Sequence, residues 1–232
     1  MAVANRTYQT RRDALAVYFD RTAVEGWKKL VSTEKVSRIR ETVRQGRDRM
    51  RAHLVSRLPA DLHGWRILDA GSGSGVLAHE LAVRGADVVG IDLSPQMVAF
   101  AAERYGAEKF RGSLAFKAGD MLSFEDGRFD AVVAMDSLIH YDLSDAADAV
   151  ARIIDHTERQ AVFTIAPYTA ALGAMHRVGK LFPRSDRSPA VVPTKPQALA
   201  SAVNDRSGGR VVPTERISSG FYISQGMEVH TA

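Results

Sequence analysis

The stretch Asp69-Ala70-Gly71-Ser72-Gly73-Ser74-Gly75 combines a carboxylate with glycines at alternate positions. Glycine lets a backbone turn sharply and pass close to a ligand, because no Cβ intervenes. In the G-x-G-x-x-G loop that cradles a dinucleotide, the third glycine lets helix and strand pack closely. Here the spacing is G-x-G-x-G and Val76 follows. Asp69 would repel a pyrophosphate, whereas it suits the cationic end of an amino-acid moiety. Asp92 closes the next apolar run and can accept hydrogen bonds from both hydroxyls of a ribose. Leu93 beside it can cover one face of an adenine. Asp120 can accept from the adenine amino group, with Met121 against the ring. The stretch Met135-Asp136-Ser137-Leu138-Ile139-His140-Tyr141 ends a further apolar run and falls where a reacting group would lie. There His140 could act as a general base, a carboxylate anchor or a metal ligand. His53, His63, His79, His156, His176 and His230 show no H-x-x-x-H spacing and read as surface or packing residues, so no protein-bound metal is expected.

Ligands of open α/β sheets bind beyond the C-terminal ends of the strands, so these residues need strands beneath them. Strands are predicted over Arg66–Asp69, Asp87–Asp92, Leu114–Lys117, Phe129–Met135 and Gln160–Ile165. Helices follow Gly75, cover Gln96–Tyr105 behind a Ser94-Pro95 cap, and run from after Ser144 to about His156. Such alternation implies a mostly parallel sheet covered on both faces. Ahead of it, Arg11–Trp27 reads as one or two short amphipathic helices. Glu34–Leu58 reads as a longer helix stopped by Pro59. Its basic side (Arg38, Arg40, Arg44, Arg47, Arg49, Arg51) reads as a solvated face. After Pro167, Ala170–Phe182 looks helical and Pro183–Pro196 is a proline-rich, basic loop over the top of the sheet. A helix over Gln197–Val203 and an antiparallel hairpin of Val211–Ile217 with Phe221–Met227 complete the chain.

The chain has 232 residues, 45% hydrophobic and 25% charged, an ordinary globular balance with room for a sizeable core. It has no cysteine, which excludes disulfides and thiolate metal sites. No apolar run approaches the ~20 residues that span a bilayer, and Met1 to Arg12 has no apolar signal core. A cytoplasmic protein is expected. The net charge of +4 fits an acidic small molecule or an anionic membrane surface and is too weak to argue for nucleic acid. Neither a Pro-Pro-aromatic sequence after the fourth strand nor basic–aromatic interleaving points to bases as substrate.

The loop and the two acids that follow it resemble the first motifs of the class I S-adenosylmethionine (SAM) methyltransferases. More specific stretches resemble the magnesium-protoporphyrin IX O-methyltransferase family: Val17-Tyr18-Phe19-Asp20-Arg21-Thr22-Ala23 with Trp27, and Lys35 to Arg47. Met135 to Tyr141, Phe163 to Pro167, Gly179-Lys180-Leu181-Phe182-Pro183 and Gly220-Phe221-Tyr222-Ile223-Ser224 extend the likeness over Tyr18 to Ser224. One departure is Ser72, where relatives often carry cysteine; it is expected to bind through its backbone.

The resemblance implies a Rossmann-like class I fold, a seven-stranded, mostly parallel sheet with a final antiparallel hairpin. A helical lid over 1–33 would precede a SAM-dependent domain over 34–232, with 168–204 as a substrate-covering insertion. It implies methyl transfer from SAM to one propionate of Mg-protoporphyrin IX, on the way to chlorophyll or bacteriochlorophyll. Asp69, Gly71, Gly73, Gly75, Asp92, Leu93, Asp120, Met121 and Met135 would hold SAM, and His140 with Tyr18 would serve the reaction. Phe19, Trp27, Tyr141, Tyr168, Met175 and Arg177 would meet the porphyrin. The magnesium chelatase subunit that carries the porphyrin and the photosynthetic membrane surface are expected contacts. Two other readings stand beside this one: a SAM-dependent O-methyltransferase of another small molecule such as a quinone precursor, and a non-catalytic carrier of tetrapyrrole or SAM.

Overall fold

The computed structural model describes residues 6–20, 38–168 and 190–230. Its centre is a seven-stranded sheet in the order β3-β2-β1-β4-β5-β7-β6. The strands are β1 (Arg66–Ala70), β2 (Asp87–Asp92), β3 (Ser113–Ala118), β4 (Phe129–Ala134), β5 (Thr157–Ile165), β6 (Arg210–Ser219) and β7 (Tyr222–His230). The first five run parallel, and β7 enters antiparallel beside β5 with β6 at the edge. The helices are α1 (Arg6–Tyr18), α2 (Arg38–Ser56), α3 (Val76–Val83), α4 (Pro95–Tyr105), α5 (Leu143–Asp155) and α6 (Pro196–Asn204).

Central strands buried on both faces read as continuous apolar runs, and successive side chains go to opposite sides. Ile67, Val133 and Val162 pack with Met50 and Leu54 of α2 and with Leu77 and Leu81 of α3. Their neighbours Leu68, Val132 and Phe163 pack on the other side with Ile153 of α5, Leu199 of α6, and Tyr8 and Leu15 of α1. Among the described residues no helix is long and apolar enough to cross a membrane.

The anticipated cap of α4 is present: Ser94 Oγ accepts from the Met97 N–H at 3.2 Å, with Pro95 in the first turn. The next helix begins earlier than expected, at Leu143, because the Asp142 carboxylate accepts from the Asp145 N–H at 3.0 Å and caps it. α1 also begins earlier, at Arg6; its first turn is polar apart from Tyr8, so apolar periodicity does not announce it. Of the 168–204 segment, residues 169–189 lie outside the described residues, as does the whole stretch 21–37.

Candidate active site

The glycine loop is tied to the end of β2. The N–H groups of Gly71 and Ser72 donate to Ile91 O at 2.8 and 3.0 Å. Gly73 N–H donates to Asp92 Oδ2 at 2.8 Å and Ser94 N–H to Asp92 Oδ1 at 2.9 Å. Each Asp92 oxygen thus takes one backbone donor and keeps capacity for a ribose hydroxyl. Gly71 has φ +84°, and a Cβ there would stand 2.5 Å from Ser137 Cβ, so only glycine lets this turn meet the end of β4. Gly75 (φ +77°) lets α3 close on β3, where a Cβ would come within 2.7 Å of the Phe116 ring; it shapes the loop from behind the cavity wall.

Asp69 is 1% exposed, and its carboxyl is pushed up to about 7, first by burial and then by the charge of Asp92. Burial likewise holds the Asp92 carboxyl above its usual range against the two N–H groups. Among the described residues, three buried side-chain oxygens lack a partner: Asp69 Oδ2, Ser72 Oγ and Ser137 Oγ. All three residues line one cavity of about 320 Å³. An unmet buried carboxylate oxygen is costly, and an ammonium group would satisfy it. The donor set therefore fits a nucleoside that carries a cationic amino-acid tail.

Asp69, Gly71, Gly73, Asp92, Leu93, Asp120, Met121, Met135, Phe19, His140 and Tyr141 all meet on this cavity. Leu93 follows β2 and Met121 lies beyond β3; Met135, Ser137 and His140 follow β4. Tyr18 packs edge-on to Phe19, ring centroids 5.4 Å apart, and is not part of the wall. Helix geometry gives the reason for Tyr18: at 100° per residue it is turned about 80° from Tyr8, which shares a face with Leu15. Tyr168, three residues beyond β5, is 48% exposed and also off the wall. Trp27, Met175 and Arg177 lie outside the described residues.

A tyrosine of α1 that does line the cavity is Tyr8. It is 4% exposed, stacks on Tyr141 at 4.9 Å, and its hydroxyl donates to Asp120 Oδ1 at 2.7 Å. Burial first, then the nearby Tyr141 and Asp120, push its phenol far above the usual range, so it stays protonated as a donor. Arg12 donates to Asp120 Oδ2 at 3.1 Å, and Leu122 N–H to Oδ1 at 2.9 Å. Asp120, expected to face an adenine amino group, is thus already shared with α1. Thr7 donates to Asp145 at 2.8 Å, and Asp20 accepts from Ser94 Oγ at 3.1 Å at the start of α4. The only sequence signal for Tyr8 was its spacing of seven from Leu15.

The basic side of α2 divides in two. Arg38, Arg40 and Arg49 are exposed, as a solvated face requires. Arg44, Arg47 and Arg51, spaced three and four apart, line the cavity instead. Arg47 donates to Asp136, which also accepts from Tyr222 OH at 3.2 Å and Thr164 Oγ1 at 3.2 Å. Asp136 has φ 57°, a left-handed conformation that costs a non-glycine residue free energy, and these contacts hold it there.

His140 lies in a single helical turn, Leu138–His140, and is 7% exposed. Its Nδ1 is 3.3 Å from Ala190 O, and its ring is 5.8 Å from that of Phe19. Burial lowers its pKa, so the ring is neutral at physiological pH.

A sheet with one antiparallel strand inserted beside β5, a glycine loop after β1 and an acid ending β2 define a class I SAM-dependent methyltransferase. Residues 67–160 match the general methyltransferase domain, and 134–231 match the C-terminus of magnesium-protoporphyrin IX methyltransferase. Magnesium-protoporphyrin O-methyltransferase of Rhodobacter capsulatus is 46% identical over 95% of this chain and 97% of its own. The Synechocystis enzyme of that name is 28% identical over 91% and 92%. The crystal structure of magnesium protoporphyrin IX methyltransferase from Synechocystis with bound SAH superposes with a TM-score of 0.81, at 26% identity, over 95% of this chain and all of that one. The chain belongs to the magnesium-protoporphyrin IX O-methyltransferase family.

Proposed function

We propose that this protein transfers the methyl group of SAM to one propionate of Mg-protoporphyrin IX, giving the monomethyl ester used in chlorophyll or bacteriochlorophyll synthesis. The observation that carries this reading is one cavity whose lining combines Asp69 and Asp92 with apolar side chains and three arginines of α2. Asp69 holds the ammonium of the methionine tail, Asp92 the ribose, and Asp120 with Met121 the adenine. Leu15, Phe19, Met135 and Tyr141 offer apolar surface to the macrocycle. Arg44, Arg47 and Arg51 face the propionate that is not methylated.

A propionate resembles a glutamate side chain, with a pKa near ~4.3, and is already a nucleophile at neutral pH. Its oxygen forms the new bond to the methyl carbon as the S–CH₃ bond breaks, and the cationic sulfonium leaves as a neutral thioether. No proton moves, so the protein's work is to align oxygen, carbon and sulfur and to keep water out. α1, fastened across the strand ends through Asp120, Asp145 and Ser94, serves as the cover that excludes water. His140 orients the acceptor. A large, poorly soluble, phototoxic acceptor favours direct hand-off from the magnesium chelatase and work close to a membrane surface.

Incubation with SAM and Mg-protoporphyrin IX, followed by chromatography, tests the reading. The monomethyl ester should accumulate with SAH in equal amounts. SAM binding without ester formation would instead make the protein a carrier.

A further inference from the structure

We propose that His140 is the axial ligand through which this protein recognises the magnesium at the centre of its tetrapyrrole. The inference rests on the function proposed above and assigns His140 a task within it.

The sequence left His140 three roles, and its surroundings separate them. Among the described residues its hydrogen bonding is limited to Nδ1 and Ala190 O. A carbonyl only accepts, so the proton sits on Nδ1, and in the neutral ring Nε2 carries a lone pair. A neutral Nε2 has no hydrogen to give and cannot anchor a carboxylate. A general base has nothing to do, because the propionate is ionised before it arrives. Donation of the Nε2 lone pair to a metal remains. Metal-binding histidines usually donate their other ring N–H to a carbonyl or carboxylate, which fixes tautomer and ring orientation. Ala190 O stands in that position.

Placement agrees. His140 lines the cavity together with Tyr141 and with Phe19, whose ring is 5.8 Å away. It is four residues beyond Asp136, whose contacts with Arg47, Thr164 and Tyr222 pin the end of β4. A magnesium ion held by four ring nitrogens takes an exchangeable axial ligand from one face. Nε2 would displace an axial water there and fix the height of the macrocycle above the wall. The reacting propionate is then carried to the methyl group by the ring's own geometry. Metal-free protoporphyrin would lack this anchor, which places the metal-insertion reaction before methylation.

Fluorescence and absorption titrations of wild type, His140→Ala and His140→Gln with Mg-protoporphyrin IX and with metal-free protoporphyrin IX test the assignment. SAM affinity serves as a check on folding. Wild type should bind the magnesium form about tenfold more tightly and shift its absorption bands, as axial coordination does. Both variants should lose the preference and the band shift and keep SAM affinity, and added imidazole should restore the shift. A preference or shift retained in the variants would overturn the assignment, as would wild type binding both porphyrins alike. If wild type makes no monomethyl ester at all, the proposed function fails rather than the role of His140.

Discussion

Asp69 takes the backbone N–H of Ala78 on its carboxylate but leaves Oδ2 buried without a partner among the described residues. Its folded pKa is pushed up to about 7, against ~3.9 for an unfolded aspartate. Between those values the folded state binds more protons than the unfolded one, so this group's contribution to stability declines as pH rises towards 7. Asp69→Asn should therefore raise the melting temperature of the ligand-free protein at pH 8 and change it little at pH 4, by scanning calorimetry. SAM affinity should fall as pH drops below 7 in the wild type, because a protonated acid cannot pair with an ammonium. An unchanged melting temperature at pH 8 would mean that Oδ2 of Asp69 has a partner in solution. Asp92→Ala should weaken SAM binding by ~2–3 kcal/mol, the scale of hydrogen bonds to a charged group, read by titration calorimetry. Equal affinity would place the nucleoside elsewhere.

Two helices carry the features that a pattern along the chain shows least. α1 is short and mostly polar, yet Tyr8 and Leu15 are buried in the same core as the sheet. Tyr8→Phe removes the hydroxyl that donates to Asp120. That should cost ~1.5–3 kcal/mol and lower the melting temperature by several degrees. No change would show that α1 is undocked in solution. In α2, the cavity-facing Arg44 and Arg51 also pair with Glu41 and with Asp48 and Glu80. Such half-exposed pairs are weak and exchange readily for a ligand carboxylate. The Arg44→Gln/Arg51→Gln double variant should raise KM for Mg-protoporphyrin IX about tenfold with SAM affinity intact, because charge-assisted forks are lost. An equal fall in SAM affinity would assign these arginines to the methionine tail.

For the whole molecule, the strand ends supply Asp69, the glycine loop and Asp92, and α1 adds Tyr8 and Leu15 to the same cavity. Deleting residues 1–20 should leave a folded sheet, because its two core clusters are built mainly from residues beyond Gln45. The loss of Tyr8 and Leu15 from the core makes that protein less stable than wild type, so α1 is more than a cover. The truncated protein should bind SAM measurably and form little monomethyl ester in the chromatographic assay. Full turnover by the truncated protein would remove α1 from the mechanism.

The strands, their parallel order and the donor loop were legible because their causes are local. Apolar runs flanked by glycines mark buried strands, three alternate glycines mark a close turn, and Ser94-Pro95 marks a helix start. Asp69 and Asp92 were legible for the same reason, since each lies at the C-terminal end of a strand that its own neighbours define. Other features depend on contacts between distant parts of the chain. Tyr8 and Asp120 are 112 residues apart, and Arg47 and Asp136 are 89 apart. Whether Tyr8 or Tyr18 faces the cavity depends on how α1 is rotated against the sheet, which local pattern does not encode. The split of the α2 arginines into a solvated set and a cavity set has the same origin. The ring nitrogen of His140 that keeps its lone pair is decided by a carbonyl 50 residues further on. Chain-local chemistry determined the parallel strands and the glycine loop; tertiary packing decided the other cavity walls, because α1, α2 and the end of β4 meet only once the sheet has assembled.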